Sequence, residues 1–549
     1  MDRPQDKPRW ILLALALALF AGAGRSSAED SPRRPNIILV YADDLDFDQI
    51  GVYDHLRFPS FSGAIERGIL KGRAKASPRS RVLTPHIDSL ARDGALFTRF
   101  YVTSPVCTPS RYSALTGRYA SRSKPFCEAY PPGTPATIGW DTYISPTEST
   151  VAKSLKALGY RTGHVGKWHL STKEFFGSPG KRVEGADPGK PGVSEKLKKD
   201  YLARTKLLGD SFGFDYVGSF YVGNLGSDGV HRSLAQHNME WVTRGALDFI
   251  DESAAGKKPF FLYMAPTLLH GPYNVKHLQS DPRATPSGRI EPPKIQPSRD
   301  DIRERVRKAG YDPNTALSTW LDDSIGAILS RLDEKGIADN TLVAFVSDHQ
   351  SRGKYTIYEA ARVPALIRWP AAIKPGTRVE QLAANIDLAA TFIAAAGGKT
   401  PDDIDGRSLL AALEGGRKPV REALYLEIAY ARAVLRDDWK YIAVRYPEDV
   451  LAKIKRKGRV EQATWNGRIS RDKKDKSKTA IRYNSDLYFP RYGDPDQLYN
   501  LREDIYEQKN LAAEGAHAKK LSEMKTLLEK MLSPLPHSFG EFKKGKVLP

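Results

Sequence analysis

Two polar clusters stand where buried strands would end. Asp43-Asp44 follows the apolar run Ile37-Ile38-Leu39-Val40-Tyr41, and Asp348-His349 follows Thr341-Leu342-Val343-Ala344-Phe345-Val346 and Ser347. A third run, Phe260-Phe261-Leu262-Tyr263-Met264, ends near His270. Carboxylate oxygens are hard ligands, and three of them suit calcium or magnesium. An Asp-Asp pair after a strand starts a loop or caps a helix about as often as it holds a metal. The second cluster shifts that balance toward a metal. Cys107 and Cys127 are the only cysteines, and an even pair in an exported chain suggests a disulfide.

These residues need elements to bring them together. Each run is continuous in apolar residues rather than alternating, the pattern of a strand covered on both faces, as in parallel sheets. Amphipathic stretches at 148–158 and 315–335 predict helices between the runs, the second leading directly into Thr341. Alternating strands and helices predict an α/β fold, a mainly parallel sheet sandwiched by helices. Ligands in such folds sit at the carboxyl ends of the strands. The three clusters are therefore candidates for one site, although they lie far apart along the chain.

One segment narrows the chemistry. Cys107-Thr108-Pro109-Ser110-Arg111-Tyr112-Ser113-Ala114-Leu115-Thr116-Gly117 resembles the sulfatase signature, in which Cys-x-Pro-x-Arg is recognised by the formylglycine-generating enzyme. Further motifs follow in family order: Gly166-Lys167-Trp168-His169-Leu170, the 266–272 segment with His270, and Gly353-Lys354-Tyr355-Thr356-Ile357-Tyr358-Glu359. Asp496-Gln497-Leu498-Tyr499-Asn500-Leu501 and Asn510-Leu511-Ala512 are similar to the C-terminal sulfatase subdomain. The resemblance covers residues 34–515. It implies an alkaline-phosphatase-like mixed sheet sandwiched by helices, with a smaller C-terminal α+β domain of antiparallel sheet plus helix. The implied activity is that of a sulfuric ester hydrolase acting on sulfate monoesters.

The same resemblance implies roles for single residues. Cys107 would be modified to formylglycine, whose hydrate is a geminal diol. One hydroxyl attacks sulfur and the alcohol leaves; the other then loses its proton and expels sulfate as the aldehyde re-forms, where a serine would leave a stable sulfated enzyme. Asp43, Asp44 and Asp348, with His349, would surround a calcium or magnesium ion that also contacts the group made from Cys107. His349 stands where many relatives carry Asn, and because nitrogen is not a hard cation's preferred partner, manganese stays open too. Lys167 and Lys354 would bind the sulfate, His169 would orient one diol hydroxyl, His270 would stand near the leaving-group oxygen, and Arg111 would hold the diol. Such cations offset charge as the sulfuryl group transfers. Cys127 would remain a lone thiol.

Length and charge frame these expectations. A chain of 549 residues predicts one large domain and a smaller one, here a catalytic domain at 34–415 and a C-terminal subdomain at 420–549, divided by turns around Gly415, Gly416 and Pro419. Short strands are expected at 423–428, 431–435 and 440–445, a helix at 516–532, and an exposed basic insertion at 453–478. Arg3, Lys7 and Arg9 precede an apolar run from Trp10 to Gly22 and then Ser26-Ser27-Ala28, which reads as a signal peptide over residues 1–28 and an exported, periplasmic or secreted protein. That run is short for a membrane span, which needs roughly 20 apolar residues, and no later stretch approaches one. A net charge of +19 favours anionic partners. With no zinc-finger spacing, aromatic RNA-binding signature or uninterrupted basic helix, a sulfated carbohydrate or other acidic substrate ranks above nucleic acid. His231, His237, Asn238 and Tyr273 fall in loops able to contribute to a pocket, and are read as surface positions without a role. The rival readings are a phosphonate or phosphate ester hydrolase on the same fold, and a non-catalytic polyanion-binding relative that never matures Cys107.

Overall fold

Ile37, Leu39 and Tyr41 face one side of strand β1 (Asn36–Ala42) while Ile38 and Val40 face the other, and all five are fully buried. Burying a side chain of this size contributes about 1.5–3 kcal/mol, so both faces of the strand demand cover. The computed structural model describes residues 34–549 except 56–58, 60–63, 65–67, 70–80, 173, 178–185, 227–230, 232, 272–274, 457–488, 490 and 545–549. The expected signal peptide, Tyr273 and most of the basic segment 453–478 lie outside the described residues.

β1 is an inner strand of an eight-stranded sheet with β2 (Ala95–Phe97), β3 (Arg161–Lys167), β4 (Tyr216–Tyr221), β5 (Phe260–Ala265), β6 (Thr341–Ser347), β7 (Ala365–Arg368) and β8 (Thr377–Val379). Their order is β8-β2-β7-β6-β1-β5-β3-β4. All pairings are parallel except those of β7, which runs antiparallel to both β6 and β2. The sheet is thus mixed and mainly parallel, as expected.

Helices cover both faces. Ile37, Leu39 and Tyr41 pack with α2 (Cys107–Thr116) through Tyr112 and Leu115, α3 (Val151–Ala157) through Val151 and Leu155, α4 (Val193–Phe212) through Leu208 and Phe212, and α8 (Ile386–Ala395) through Leu388 and Phe392. Ile38 and Val40 pack with α1 (Pro85–Arg92), α5 (Met239–Ala254), α6 (Arg299–Lys308) and α7 (Ala316–Glu334), whose Ile87, Val242, Ile302 and Trp320 share their cluster. The helix expected at 148–158 is shorter. Thr150 accepts from the Lys153 N–H as N-cap, and Glu148 is held outside the helix by the Ser145 N–H at 2.7 Å.

The C-terminal portion forms an antiparallel sheet, β9 (Leu424–Ile428), β10 (Ala431–Arg436), β11 (Trp439–Val444) and β12 (Asp496–Asn500). The first three strands were expected; the fourth pairs across a long separation that no local turn announces. α9 (Glu448–Arg456) takes in the start of the segment expected to be a loop insertion. Helix α10 (Ala518–Leu532) closes the subdomain, its Met524 and Leu528 clustering with Val106 and Tyr355, the neighbours of Cys107 and Lys354. Among the described residues no helix is long and apolar enough to cross a membrane.

Candidate active site

The register of the inner strands assembles the acidic cluster. β1 and β6 pair in parallel with Ala42 opposite Ser347, so Asp43 and Asp348 leave the sheet side by side. The Asp348 N–H donates to the Ala42 carbonyl at 2.8 Å, and the Asp44 N–H to Asp348 Oδ1 at 3.0 Å. Asp44 adopts a φ of 57°, a conformation uncommon for a non-glycine residue and often found at functional sites. His169 and Tyr355, beside the same pocket, share it with φ of 58° and 71°.

Cys107 is the first residue of α2 and is fully buried. Pro109 fits the first turn because its missing N–H would have no helical partner there. Arg111, one turn on, falls on the same helix face as Cys107. The helix is pinned where it meets the sheet: Tyr41 OH donates to Ser110 Oγ at 2.8 Å, Ser110 Oγ to the Asp348 carbonyl at 2.5 Å, and Asn385 Nδ2 to the Ser110 carbonyl at 2.9 Å. Sequence reasoning missed these supports, since Ser110 and Asn385 belong to no chemical pattern by type or spacing.

The basic residues converge on the same point. Arg111 Nη2 donates to Asp348 Oδ2 at 2.8 Å and lies 3.3 Å from Asp43 Oδ1, while Nη1 donates to Tyr263 OH at 3.2 Å. Lys167 Nζ donates to Asp43 Oδ2 at 2.7 Å. It is aimed by a bulge where β3 shifts register against β4 between Val165 and Gly166. Gly166 has a φ of 89°, and a Cβ there would stand 2.1 Å from the Ala265 carbonyl oxygen, so only glycine fits. Lys354 Nζ donates to Asp44 Oδ1 at 2.9 Å and to Cys107 Sγ at 3.4 Å. His349 donates from Nδ1 to the Gln350 carbonyl at 2.9 Å, which turns Nε2 to Cys107 Sγ at 3.3 Å and Asp44 Oδ1 at 3.1 Å. His270 likewise donates from Nδ1 to the Gly271 carbonyl, leaving Nε2 3.9 Å from Asp44 Oδ2.

These contacts set the charge states. Burial pushes the Cys107 thiol up, but Lys167, Lys354 and His349 together hold it well below a free thiol's range, and the helix N-terminus favours an anion there. Asp43 is likewise lowered against its burial, by Lys167 and His270. Burial raises Asp348 against the pull of His349 and Arg111, and Asp348 in turn raises His349 over the effect of its own burial. The other two histidines diverge. Burial and then Lys167 hold His169 down to about 4, whereas Asp43 and a hydrogen bond to Cys107 raise His270 in spite of its burial. Two imidazoles whose surroundings push their proton affinities apart, flanking one reactive side chain, are what proton acceptance and donation require.

Ligand atoms of Asp43, Asp44, Cys107 and His349 all lie within 4.8 Å of one another. Asp43 Oδ1 is buried and accepts no hydrogen bond. The two carboxylates suit a hard divalent cation, whereas the thiol sulfur does not; an oxygen-bearing group in place of the Cys107 thiol would make the set rich in oxygen, with His349 its one nitrogen. Asp348 stands outside that tighter group, its oxygens engaged by Arg111 and the Asp44 N–H, with Oδ1 3.5 Å from His349 Nε2. Arg111, Lys167 and Lys354 face the three carboxylates at close range, and a divalent cation bound among them would add positive charge toward an anionic ester.

The structure therefore brings together all ten residues singled out from the sequence. The loop residues fare differently. His237 and Asn238 are buried rather than surface positions: Asn238 caps α5 by accepting from the Trp241 N–H at 3.1 Å, and His237 Nδ1 bonds Thr267 Oγ1 at 2.8 Å. His231 bonds Ser233 two residues away. Cys107 and Cys127 are both free thiols, and Cys127 Sγ donates to the Ser121 carbonyl at 3.4 Å.

Comparison with known proteins agrees with this geometry. The sulfatase family model matches residues 35–398. The chain is 30% identical to N-acetylgalactosamine-6-sulfatase of Homo sapiens over 439 residues, covering 74% of this chain and 70% of the relative. It is 28% identical to N-acetylgalactosamine-6-O-sulfatase of Bacteroides thetaiotaomicron over 506 residues, covering 79% and 88%. Among solved structures, one described for the metabolism of multiple glycosaminoglycans by Bacteroides thetaiotaomicron superposes with a TM-score of 0.57 at 22% identity, over 91% of this chain and 99% of that one. The chain belongs to the sulfatase family and is a sulfuric ester hydrolase.

Proposed function

We propose that this protein hydrolyses a sulfate ester of a carbohydrate through formylglycine made from Cys107 by a formylglycine-generating enzyme, with calcium, magnesium or manganese bound beside it. The observation that carries the reading is the setting of Cys107: a buried sulfur at a helix N-terminus, 3.3 Å from His349 and 3.4 Å from Lys354, backed by three carboxylates. The modified residue would supply a hydroxyl nucleophile and a second hydroxyl that lets the sulfated form collapse without water attacking sulfur. Asp43, Asp44, His349 and the Cys107 side chain would hold the cation, with Asp348 close behind, and the cation would polarise bound oxygen as a Lewis acid.

The chain's own groups do the rest. Lys167 and Lys354 bind sulfuryl oxygens, exchanging part of their carboxylate contacts for substrate. Arg111 fixes Asp348 and Asp43 so that the site needs little reorganisation. His169, neutral and hydrogen-bonded to Cys107, accepts a proton. His270, whose side chain is 18% exposed, stands where it can donate to the departing alkoxide. The carbohydrate assignment is supported by the relatives named as N-acetylgalactosamine-6-sulfatases and by the chain's net charge of +19. Export to the periplasm or medium is the setting proposed from the N-terminal sequence.

Mass spectrometry of the Cys107 peptide, made in the native host, is expected to find an aldehyde in place of the thiol. Matched aryl sulfate and aryl phosphonate esters should be cleaved with the sulfate strongly preferred, and chelation should remove activity that calcium or magnesium restores. A purely unmodified thiol would overturn the mechanism; preference for the phosphonate would overturn the reaction class.

A further inference from the structure

The pairing that sets Asp43 beside Asp348 continues past them. Four residues beyond Ala42, Asp46 meets Ser351, four beyond Ser347. The Asp46 carboxylate is 1% exposed and accepts from the Ser351 N–H at 2.6 Å, from Ser351 Oγ at 2.6 Å and from Arg352 Nη1 at 3.1 Å. Its backbone N–H donates to Gln49 Oε1 at 2.8 Å, and Arg352 Nη1 also reaches Asp48 Oδ2 at 3.1 Å. Charge-assisted bonds of this kind are roughly twice as strong as neutral ones. They fall on a stretch from Gln350 to Lys354 that forms neither helix nor strand. Lys354 follows Arg352 by two residues, and its ammonium is fixed between Asp44 and Cys107.

We propose that Asp46 is a positioning residue for catalysis: by stitching Ser351 and Arg352 to the loop that carries Asp43 and Asp44, it fixes where the Lys354 ammonium stands over the reactive side chain. The inference rests on the reading of Lys354 as a sulfate-binding residue. A misplacement near 1 Å at a reacting centre costs about a hundredfold in rate, so a clamp two residues from a substrate-binding cation bears on turnover as well as on folding.

The test is a double-mutant cycle on 4-nitrophenyl sulfate with the parent, Asp46→Ala, Lys354→Ala and the double variant, normalised to aldehyde content at Cys107 and to bound calcium. Asp46→Ala is expected to lower kcat by about 10- to 100-fold, with little further loss once Lys354 is gone, because coupled residues are non-additive. Asp46→Asn, which keeps an acceptor for Ser351, should recover most of the loss. Ser351→Ala removes a single bond and should show a smaller loss that also vanishes in the Lys354→Ala background, which keeps the test sound if Asp46→Ala folds poorly. An equal loss in both backgrounds, or parental kcat in Asp46→Ala, overturns the clamp. Parental activity in Lys354→Ala would instead overturn the reading of the site, and the clamp with it.

Discussion

Arg111 donates from Nη2 to Asp348 Oδ2 across 2.8 Å, with both side chains wholly buried. The same nitrogen lies 3.3 Å from Asp43 Oδ1, so one guanidinium bridges the carboxylates that end two adjacent strands. Removing one partner of a buried ion pair leaves an uncompensated charge and costs about 3–5 kcal/mol. Arg111→Met should therefore lower unfolding stability in urea by about that amount as well as activity, with added calcium restoring part of the stability by occupying the same carboxylates. A loss below about 1 kcal/mol would show that the Arg111–Asp348 pair does not support the fold.

The two cysteines should behave oppositely. Cys107→Ala is expected to abolish sulfate release while the protein still folds, because α2 is anchored through Ser110 and Asn385 rather than through the sulfur. Cys127→Ser should change neither activity nor melting temperature appreciably, since its partly exposed sulfur contacts a backbone carbonyl that a hydroxyl can also serve. Loss of activity in Cys127→Ser, with a disulfide between the two in the parent, would refute the nucleophile assignment.

His537 predicts how stability changes with acid. Its Nε2 donates to the Tyr130 carbonyl at 2.9 Å, its ring packs edge-on against Phe126 at 5.2 Å, and Nδ1 is buried without a hydrogen-bond partner. Burial, with Arg432 and Lys543 nearby, holds the imidazole down to about 4 from an ordinary 6.5. A folded-state value below the unfolded one means the contribution is fully present above pH 6.5 and is lost as pH falls toward 4. His537→Gln keeps a donor for Tyr130 but cannot titrate, so its melting temperature should fall less than the parent's between pH 7 and pH 4.5. His164 and His237, held down to about 3 by burial, will still contribute to the decline. Parallel declines in parent and variant would exclude His537 as a source.

Much of this site could be read from the chain alone because its chemistry sits at strand ends. Continuous apolar runs located β1, β5 and β6, and the residues after them supplied the carboxylates. What sequence could not supply was register and support. That Asp46 faces Ser351, or Tyr263 faces Arg111, depends on which residue of one strand lies opposite which of the next, and spacing does not encode that. The reversal of β7 within the sheet and the recruitment of β12 to the C-terminal hairpin are long-range choices of the same kind. Local signals did reach the ends of helices only approximately: the Thr150 cap that shortens α3 lies inside the periodic stretch.

The substrate prediction draws on the charge of the chain rather than on the pocket. Lys453, Lys455, Arg456 and Lys457 begin a basic stretch, the first three on α9, in a chain whose net charge is +19. If the natural substrate is a sulfated polysaccharide, that charge should speed encounter with long chains and do little for a small aryl sulfate. The advantage should fade as salt screens it, since the Debye length is about 8 Å at physiological ionic strength and shorter above it. Rates should therefore rise with oligosaccharide length at low salt, converge at moderate salt, and lose their length dependence when the four side chains are neutralised, while aryl sulfate turnover stays at the parental level. A solvated loop with no part in binding predicts instead that neutralisation changes none of these ratios. Relative rates indifferent to length and salt would remove the polysaccharide assignment and leave sulfate ester hydrolysis standing.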